Sequence, residues 1–206
     1  MENFNGTAIL AIIDKSGSMG SIKSDAIGGF NNFLSDQQNQ EGECIISTVL
    51  FDTGYDLINH GINIKDMQPL NNSTYVPCGG TALYDAIGRG VSDVEKMQIK
   101  ADRYLCVILT DGEENCNREF NKAKINELIS EKRKGDWEFI FLAANQDALQ
   151  EGASLGMLTS SSCNFTATGD GVNLAYADMS RGVTSYRKMS KATLSSSKFN
   201  LLSEEE

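Results

Sequence analysis

The stretch of sequence that decides the fold is TAILAIIDKSGS, residues 7–18. Its first part, Thr7 to Ile13, is an apolar run of the length expected for a buried β-strand. The run ends on Asp14, and serines follow two and four residues later, at Ser16 and Ser18. Carboxylate and hydroxyl oxygens grouped in this way suit Mg²⁺, Mn²⁺ or Ca²⁺ better than zinc or copper. The stretch therefore predicts a strand that carries hard oxygen ligands to the end of a sheet.

Strand-like and helix-like segments alternate along the rest of the chain. This alternation predicts an α/β fold: a doubly wound, mainly parallel, six-stranded sheet with helices on both faces. The other predicted strands are 44–51, 55–62, 103–109, 137–144 and 162–167, and the predicted helices cover 22–34, 82–94, 125–135, 147–155 and 172–186. The turn at 52–54 is too short for a crossover, so the third strand is predicted to run antiparallel. The pair Gly28-Gly29 is expected to let the first helix pack closely on the sheet.

Length and composition predict one domain followed by a tail. The chain has 206 residues, of which 40% are hydrophobic, enough for a single α/β core. We place the domain at 1–190. Residues 191–206 are polar and end in three glutamates, so we expect a flexible tail there.

Charge and cysteine content exclude several functions. The formal net charge of −10 argues against nucleic acid and against an anionic membrane surface, which both favour basic proteins. The five cysteines are odd in number and form no C-x-x-C pair, which disfavours a disulfide framework or a zinc site and favours a reducing compartment. We expect a cytoplasmic protein without a signal peptide, since the run 7–13 lacks a basic flank and a cleavage site and is too short to span a bilayer.

Two further segments point to the same place as Asp14. Gly79-Gly80-Thr81 precedes a predicted helix, and Thr110-Asp111-Gly112 follows the fourth predicted strand. In open α/β sheets, ligands bind beyond the carboxyl ends of the strands, where the strand order reverses. If strands one and four are neighbours, Asp14 and Asp111 meet in one crevice, and the loop that carries Thr81 enters from the side.

These segments resemble the von Willebrand factor type A domain with an intact metal-ion-dependent adhesion site. The pattern of that family is D-x-S-x-S, a threonine in a later loop and an aspartate after the fourth strand, and it is matched here without substitution by Asp14, Ser16, Ser18, Thr81 and Asp111. The resemblance covers nearly the whole chain and implies the sheet order 3-2-1-4-5-6. The runs 29–31, 80–86 and 141–147 are typical of the compact stand-alone versions in bacterial and bacteriophage genomes.

The resemblance also implies a function. In this family, hydroxyls equivalent to Ser16, Ser18 and Thr81 bind the ion directly, whereas carboxylates equivalent to Asp14 and Asp111 act mainly through water. Mg²⁺, or Mn²⁺ or Ca²⁺, is the expected cofactor. Because the direct ligands are neutral, the ion keeps much of its charge and can accept a Glu or Asp side chain of a partner protein. The implied activity is protein binding without catalytic residues, and neither the partner nor the oligomeric state follows from the sequence.

Three alternatives remain open from the residues alone. Asp14, Ser16 and Ser18 could simply cap the first helix, and Thr81 could cap the second. The chain could also be a Mg²⁺-dependent phosphohydrolase with a nucleophilic aspartate after strand one. Such enzymes need an acid–base aspartate two residues later, where this chain has Ser16. A scaffold with a vestigial metal site is the third alternative.

Other polar residues near these segments have simpler interpretations. Glu113 and Glu114 are expected to be solvated loop charges, although one of them could influence partner choice at the rim. Asp85 is expected to lie on the helix surface or pack rather than bind metal. His60, the only histidine, falls on a predicted edge strand and is expected to be structural or exposed.

Overall fold

The structure is a computed structural model that describes residues 2–97, 99–112, 114–144, 148–166 and 168–189. Within these ranges the strands are β1 Glu2–Asp14, β2 Glu43–Phe51, β3 Tyr55–Asn63, β4 Ile99–Thr110, β5 Trp137–Ala144 and β6 Ser162–Phe165. The α-helices of the same ranges are α1 Lys23–Gln38, α2 Leu83–Lys96, α3 Lys122–Lys132, α4 Ala148–Ser154 and α5 Gly169–Lys188. Strands and helices alternate as predicted.

The strands form one six-stranded sheet in the order β3-β2-β1-β4-β5-β6. The pairs within β2-β1-β4-β5-β6 are parallel, and β3 runs antiparallel to β2. Both the order and the direction of β3 confirm the prediction. Because β1 and β4 lie at the centre, the chain crosses from one half of the sheet to the other between them, which opens a crevice at their carboxyl ends.

The core lies in two layers, one on each face of the sheet. Ile9 of β1 belongs to the layer that contains Phe30 of α1 and Tyr176 of α5. Leu10, the next residue, belongs to the opposite layer, with Ile87 of α2 and Ile125 of α3. Successive strand residues point to opposite faces, so a central strand covered on both sides must be apolar at every position. This explains why residues 8–13 read as a continuous apolar run.

Most elements differ from their predicted limits by a few residues. β1 and β4 begin earlier than predicted, because Glu2 pairs with Ile99 before an irregularity between Phe4 and Thr7. Strand pairing uses backbone groups, so it continues beyond the apolar run on which the prediction depended. The predicted first helix began at Ile22, but this residue ends a separate 3₁₀-helix, Gly17–Ile22, and α1 begins at Lys23.

The predicted role of Gly28-Gly29 needs correction. A Cβ added at Gly29 would lie 2.2 Å from the ring of Tyr176, whereas a Cβ at Gly28 would meet nothing within 4 Å. The close approach is therefore between α1 and α5 rather than between α1 and the sheet.

Some predictions fall outside the described residues. These are the start of the fourth helix at Asp147, the end of the sixth strand at Ala167, the Asn145–Asp147 part of the run 141–147, Glu113, and the tail 191–206. In the ranges that are described, no helix is both long and apolar enough to cross a membrane.

Candidate metal centre

The ends of β1 and β4 bring the predicted carboxylates to one edge of the sheet. The two strands are parallel neighbours, with Ile13 opposite Leu109, so Asp14 and Asp111 leave the sheet on the same side. Ser18 Oγ, from the loop after β1, donates a hydrogen bond of 2.7 Å to Asp111 Oδ1. The loop after β1 and the segment 110–112 after β4 are therefore in direct contact.

Asp14 is fixed at the back of this crevice. Its side chain is fully buried. Ser16 N donates to Oδ1 and Thr110 Oγ1 donates to Oδ2, each at 2.6 Å, and the Tyr75 hydroxyl donates to the Asp14 carbonyl oxygen. Thr110 and Tyr75 were not predicted. Thr110 was noted only as the residue before Asp111, and its bond to Asp14 follows from the pairing of β1 with β4. Tyr75 comes from an irregular segment without a pattern.

The three predicted hydroxyls converge in front of Asp14. The Oγ atoms of Ser16 and Ser18 lie 3.1 Å apart. A Cβ added at Gly112 would lie 3.1 Å from Thr81 Oγ1 and 3.7 Å from Ser18 Oγ, so both oxygens face the backbone next to Asp111. Ser16 and Thr81 are buried, whereas Ser18 is exposed and Asp111 is partly exposed. The cluster is closed at the back and open to solvent at the front.

Helix capping does not explain these hydroxyls. Ser16 occupies the N-cap position of the 3₁₀-helix, but its side chain makes no capping hydrogen bond. The N-cap of α2 is Ala82, which has no side-chain oxygen, so Thr81 lies one residue before the cap position. Instead, Glu114 Oε2 accepts a 2.9 Å hydrogen bond from Tyr84 N in the first turn of α2.

Burial disturbs the ionisation of both carboxylates. Desolvation raises the pKa of Asp14 to about 6, opposed by the hydrogen bonds from Thr110 and Ser16 and reinforced by the charge of Asp111. Desolvation also raises the pKa of Asp111, against the hydrogen bond from Ser18. In the described part of the chain, neither carboxylate forms a salt bridge with a Lys or Arg side chain. A cation here would favour both ionised forms.

The nearest cationic residue in sequence, Lys15, points away from this cluster. Its ammonium pairs with Asp52 and lies 3.4 Å from Asp56. Burial acts to lower the pKa of Lys15, but the hydrogen bond and charge of Asp52 outweigh it and raise the pKa. Lys15 therefore neutralises Asp52 and leaves the charge of Asp14 uncompensated.

The donor set fits a hard divalent cation. It consists of three hydroxyls and two carboxylates, Ser16, Ser18, Thr81, Asp14 and Asp111. No group of three or more His, Cys, Asp and Glu that could hold a metal occurs among the described residues, so any metal at this edge depends on hydroxyl oxygens. Oxygen donors alone suit Mg²⁺, Mn²⁺ or Ca²⁺, whereas zinc and copper prefer nitrogen and sulfur.

Two acidic residues near the crevice hold loops instead of binding ions. Glu114 is not the solvated loop charge that was predicted. Besides Tyr84 N, its carboxylate accepts from Cys116 N at 2.8 Å and Asn117 N at 2.6 Å. Asp85 is buried, in agreement with a packing role.

His60 is exposed, as expected, and its Nε2 lies 3.0 Å from the Asp93 carbonyl oxygen.

Sequence comparison finds no relative: no protein-family profile matches the chain, and no curated protein matches it. Comparison of structures finds proteins of similar fold. A von Willebrand factor type A protein from Catenulispora acidiphila superimposes with a TM-score of 0.60 and 14% identity, over 85% of this chain and 42% of that one. The von Willebrand domain of the type V pilus tip protein Mfa5 from Porphyromonas gingivalis gives a TM-score of 0.62 and 9% identity, over 92% of this chain and 99% of that one. The chain has the von Willebrand factor type A fold.

Two other similar structures are those of a pilus adhesin and a thread matrix protein. The pilus adhesin SpaC from Lactobacillus rhamnosus GG has a TM-score of 0.68 and 12% identity, over 89% of this chain and 30% of that one. Proximal thread matrix protein 1 from the mussel byssus was solved with zinc in its metal-ion-dependent adhesion site. It has a TM-score of 0.64 and 14% identity, over 88% of this chain and 46% of that one. This chain spans less than half the length of either protein.

Proposed function

We propose that this protein is a metal-dependent interaction module that binds a Glu or Asp carboxylate of a partner protein. The proposed ligands of the cation are Asp14, Ser16, Ser18, Thr81 and Asp111. The observation that carries the proposal is the convergence of hydroxyls and carboxylates from three distant segments, with no salt-bridge partner for either carboxylate among the described residues. The adhesive and structural roles named for similar folds support binding rather than catalysis.

Each side chain has a distinct part in this proposal. Ser16, Ser18 and Thr81 offer neutral oxygens, while Asp14 and Asp111 supply negative charge from the back and the front of the crevice. A bound Mg²⁺ or Mn²⁺ would add positive charge and an open coordination position for an anionic oxygen. Since the chain carries a net charge of −10, it would otherwise repel a carboxylate.

The Mg²⁺-dependent phosphohydrolase is the less favoured function. At the position of its acid–base aspartate stands Ser16, whose hydroxyl lies against Ser18. We expect no turnover of phosphate esters above background when the purified protein is supplied with Mg²⁺. Robust hydrolysis that disappears in Asp14→Asn would contradict the interaction module and favour the enzyme.

Thr81→Ala is expected to weaken the binding of both metal and carboxylate. The substitution removes one neutral oxygen, and even outer-shell changes cost about tenfold to a hundredfold in metal affinity. We expect the Kd for Mn²⁺ in isothermal titration to rise at least about tenfold. On an array of peptides that each carry one Glu, Mn²⁺-dependent retention by the wild type should fall in the variant.

Two controls make the Thr81 experiment specific. Thr159→Ala, in an exposed position of a separate 3₁₀-helix, should bind Mn²⁺ like the wild type. An array in which Gln replaces Glu should retain neither protein. Retention that persists in EDTA would show that the peptides bind to a surface other than the metal site.

A further inference from the structure

We propose that the β2–β3 turn, residues 52–54, is a positioning element that sets the metal affinity of the site without supplying a ligand. The inference rests on the proposed function. Two loops next to the turn carry candidate ligands. We call residues 14–18 the first ligand loop and residues 78–82 the second ligand loop. The turn contacts both of them.

The turn and the strand end before it hold the first ligand loop through Lys15. Lys15 N donates a 2.7 Å hydrogen bond to the carbonyl oxygen of Phe51, and the Lys15 ammonium pairs with the Asp52 carboxylate. Lys15 is 8% exposed. Because Lys15 lies between two candidate ligands, Asp14 and Ser16, fixing both its backbone and its side chain restricts where those ligands can lie.

The turn holds the second ligand loop on both sides of Thr81. Gly80 N donates to Thr53 Oγ1 at 2.8 Å, and Ala82 N donates to the Asp52 carbonyl oxygen at 2.9 Å. These are the residues immediately before and after Thr81, so the path of the backbone through Thr81 is defined by the turn.

The two ligand loops and the turn fit together closely. Gly17 N donates to Gly79 O at 3.1 Å, and Cys78 N donates to Lys15 O at 2.9 Å, which joins the loops to each other. Gly79 has a φ of +68°, and a Cβ added there would lie 2.8 Å from Thr53 Oγ1. The glycine is required both by its backbone conformation and by the approach of the Thr53 side chain.

Thr53 offers the cleanest test because its side chain is exposed and its hydroxyl bonds the loop directly. Thr53→Val removes this hydroxyl at nearly constant shape, and Thr53→Ser retains it. Thr168→Val is the matched control, since Thr168 is also exposed and its Oγ1 accepts a 3.3 Å hydrogen bond from Gly171 N at the start of α5. The measurement is the Kd for Mn²⁺ by isothermal titration, together with the melting temperature of each metal-free protein.

We expect Thr53→Val to raise the Kd for Mn²⁺ about threefold to tenfold, as the loss of one hydrogen bond would predict. Thr53→Ser should restore the wild-type Kd to within about twofold, and Thr168→Val should leave it unchanged. Thr168→Val should lower the metal-free melting temperature at least as far as Thr53→Val does, because it removes the N-cap hydrogen bond of α5. This pattern separates positioning of the ligands from general loosening of the fold.

Different failures point to different conclusions. A Thr53→Val protein that binds Mn²⁺ as tightly as the wild type overturns the positioning role and leaves the proposed function standing. The positioning role is also overturned if Thr53→Ser fails to restore affinity, or if Thr168→Val weakens it equally. A wild-type protein that binds neither Mg²⁺ nor Mn²⁺ overturns the proposed function and the positioning role together.

Discussion

Asp111→Ala should abolish detectable binding of Mg²⁺ and Mn²⁺ while the protein remains folded. Asp111 supplies the carboxylate at the open front of the crevice and accepts the hydrogen bond from Ser18 Oγ. It is only partly buried, so its removal deletes little core packing, and it relieves the repulsion that this charge exerts on Asp14. The measurements are isothermal titration for metal affinity and circular dichroism for the fold.

Thermal unfolding gives a second readout of the same prediction. A ligand that binds only the native state stabilises it, by about 2.7 kcal/mol when the free ligand is a hundredfold above its Kd. Added Mg²⁺ should therefore raise the melting temperature of the wild type and leave that of Asp111→Ala unchanged. Asp178→Ala, which removes a half-exposed carboxylate on α5, should respond to Mg²⁺ like the wild type. Unchanged metal affinity in Asp111→Ala would refute the assignment of this residue.

Asp85→Ala should destabilise the fold by about 1–3 kcal/mol, because it leaves three backbone N–H donors of a partly buried loop without their charged acceptor. The Asp85 carboxylate accepts hydrogen bonds of 2.8–2.9 Å from the backbone N–H groups of Arg118, Glu119 and Phe120. These bonds hold the loop after Asp111 against α2. Urea unfolding measures the change, and Asp178→Ala should cost less than about 0.5 kcal/mol as the loss of an exposed ion pair.

The same carboxylate predicts a pH dependence of stability. Burial alone would raise the pKa of Asp85, but the hydrogen bonds from Phe120, Arg118 and Glu119 outweigh it and hold the pKa below the ordinary 3.8. A lowered native pKa stabilises the folded state above the unfolded value, and this stabilisation is lost as pH falls through the native pKa.

The free energy of unfolding should therefore differ between wild type and Asp85→Asn by a constant amount near neutral pH. The difference should shrink only below about pH 4, where the Asp85 carboxylate of the unfolded chain begins to bind protons before that of the folded protein. A difference that already declines between pH 7 and pH 5 would contradict this origin of the stability.

The sequence predicted the features that depend on patterns of residue type. The apolar run before Asp14 predicted a strand buried on both faces, and the resemblance correctly implied the order of the sheet. The D-x-S-x-S pattern, Thr81 and Asp111 predicted residues that the fold brings together, because strands leave a parallel sheet at the same edge.

The supporting contacts could not be predicted in this way. Tyr75, Glu114 and the turn at 52–54 act through hydrogen bonds between irregular segments far apart in the chain. Such segments have no periodicity, and their partners depend on tertiary positions that only the assembled sheet defines. For the same reason, the early starts of β1 and β4 were missed, since backbone pairing there does not require apolar side chains.

The most direct test of the central claim is the anomalous scattering of crystals of the protein soaked in Mn²⁺. The claim is that hydroxyls and carboxylates from three segments form one divalent-cation site. We predict a single strong anomalous peak within metal–ligand bonding distance of the hydroxyl oxygens of Ser16, Ser18 and Thr81. Crystals of Asp111→Ala soaked in the same solution should lack it. An empty crevice in the wild type, with Mn²⁺ bound elsewhere or nowhere, would contradict the account.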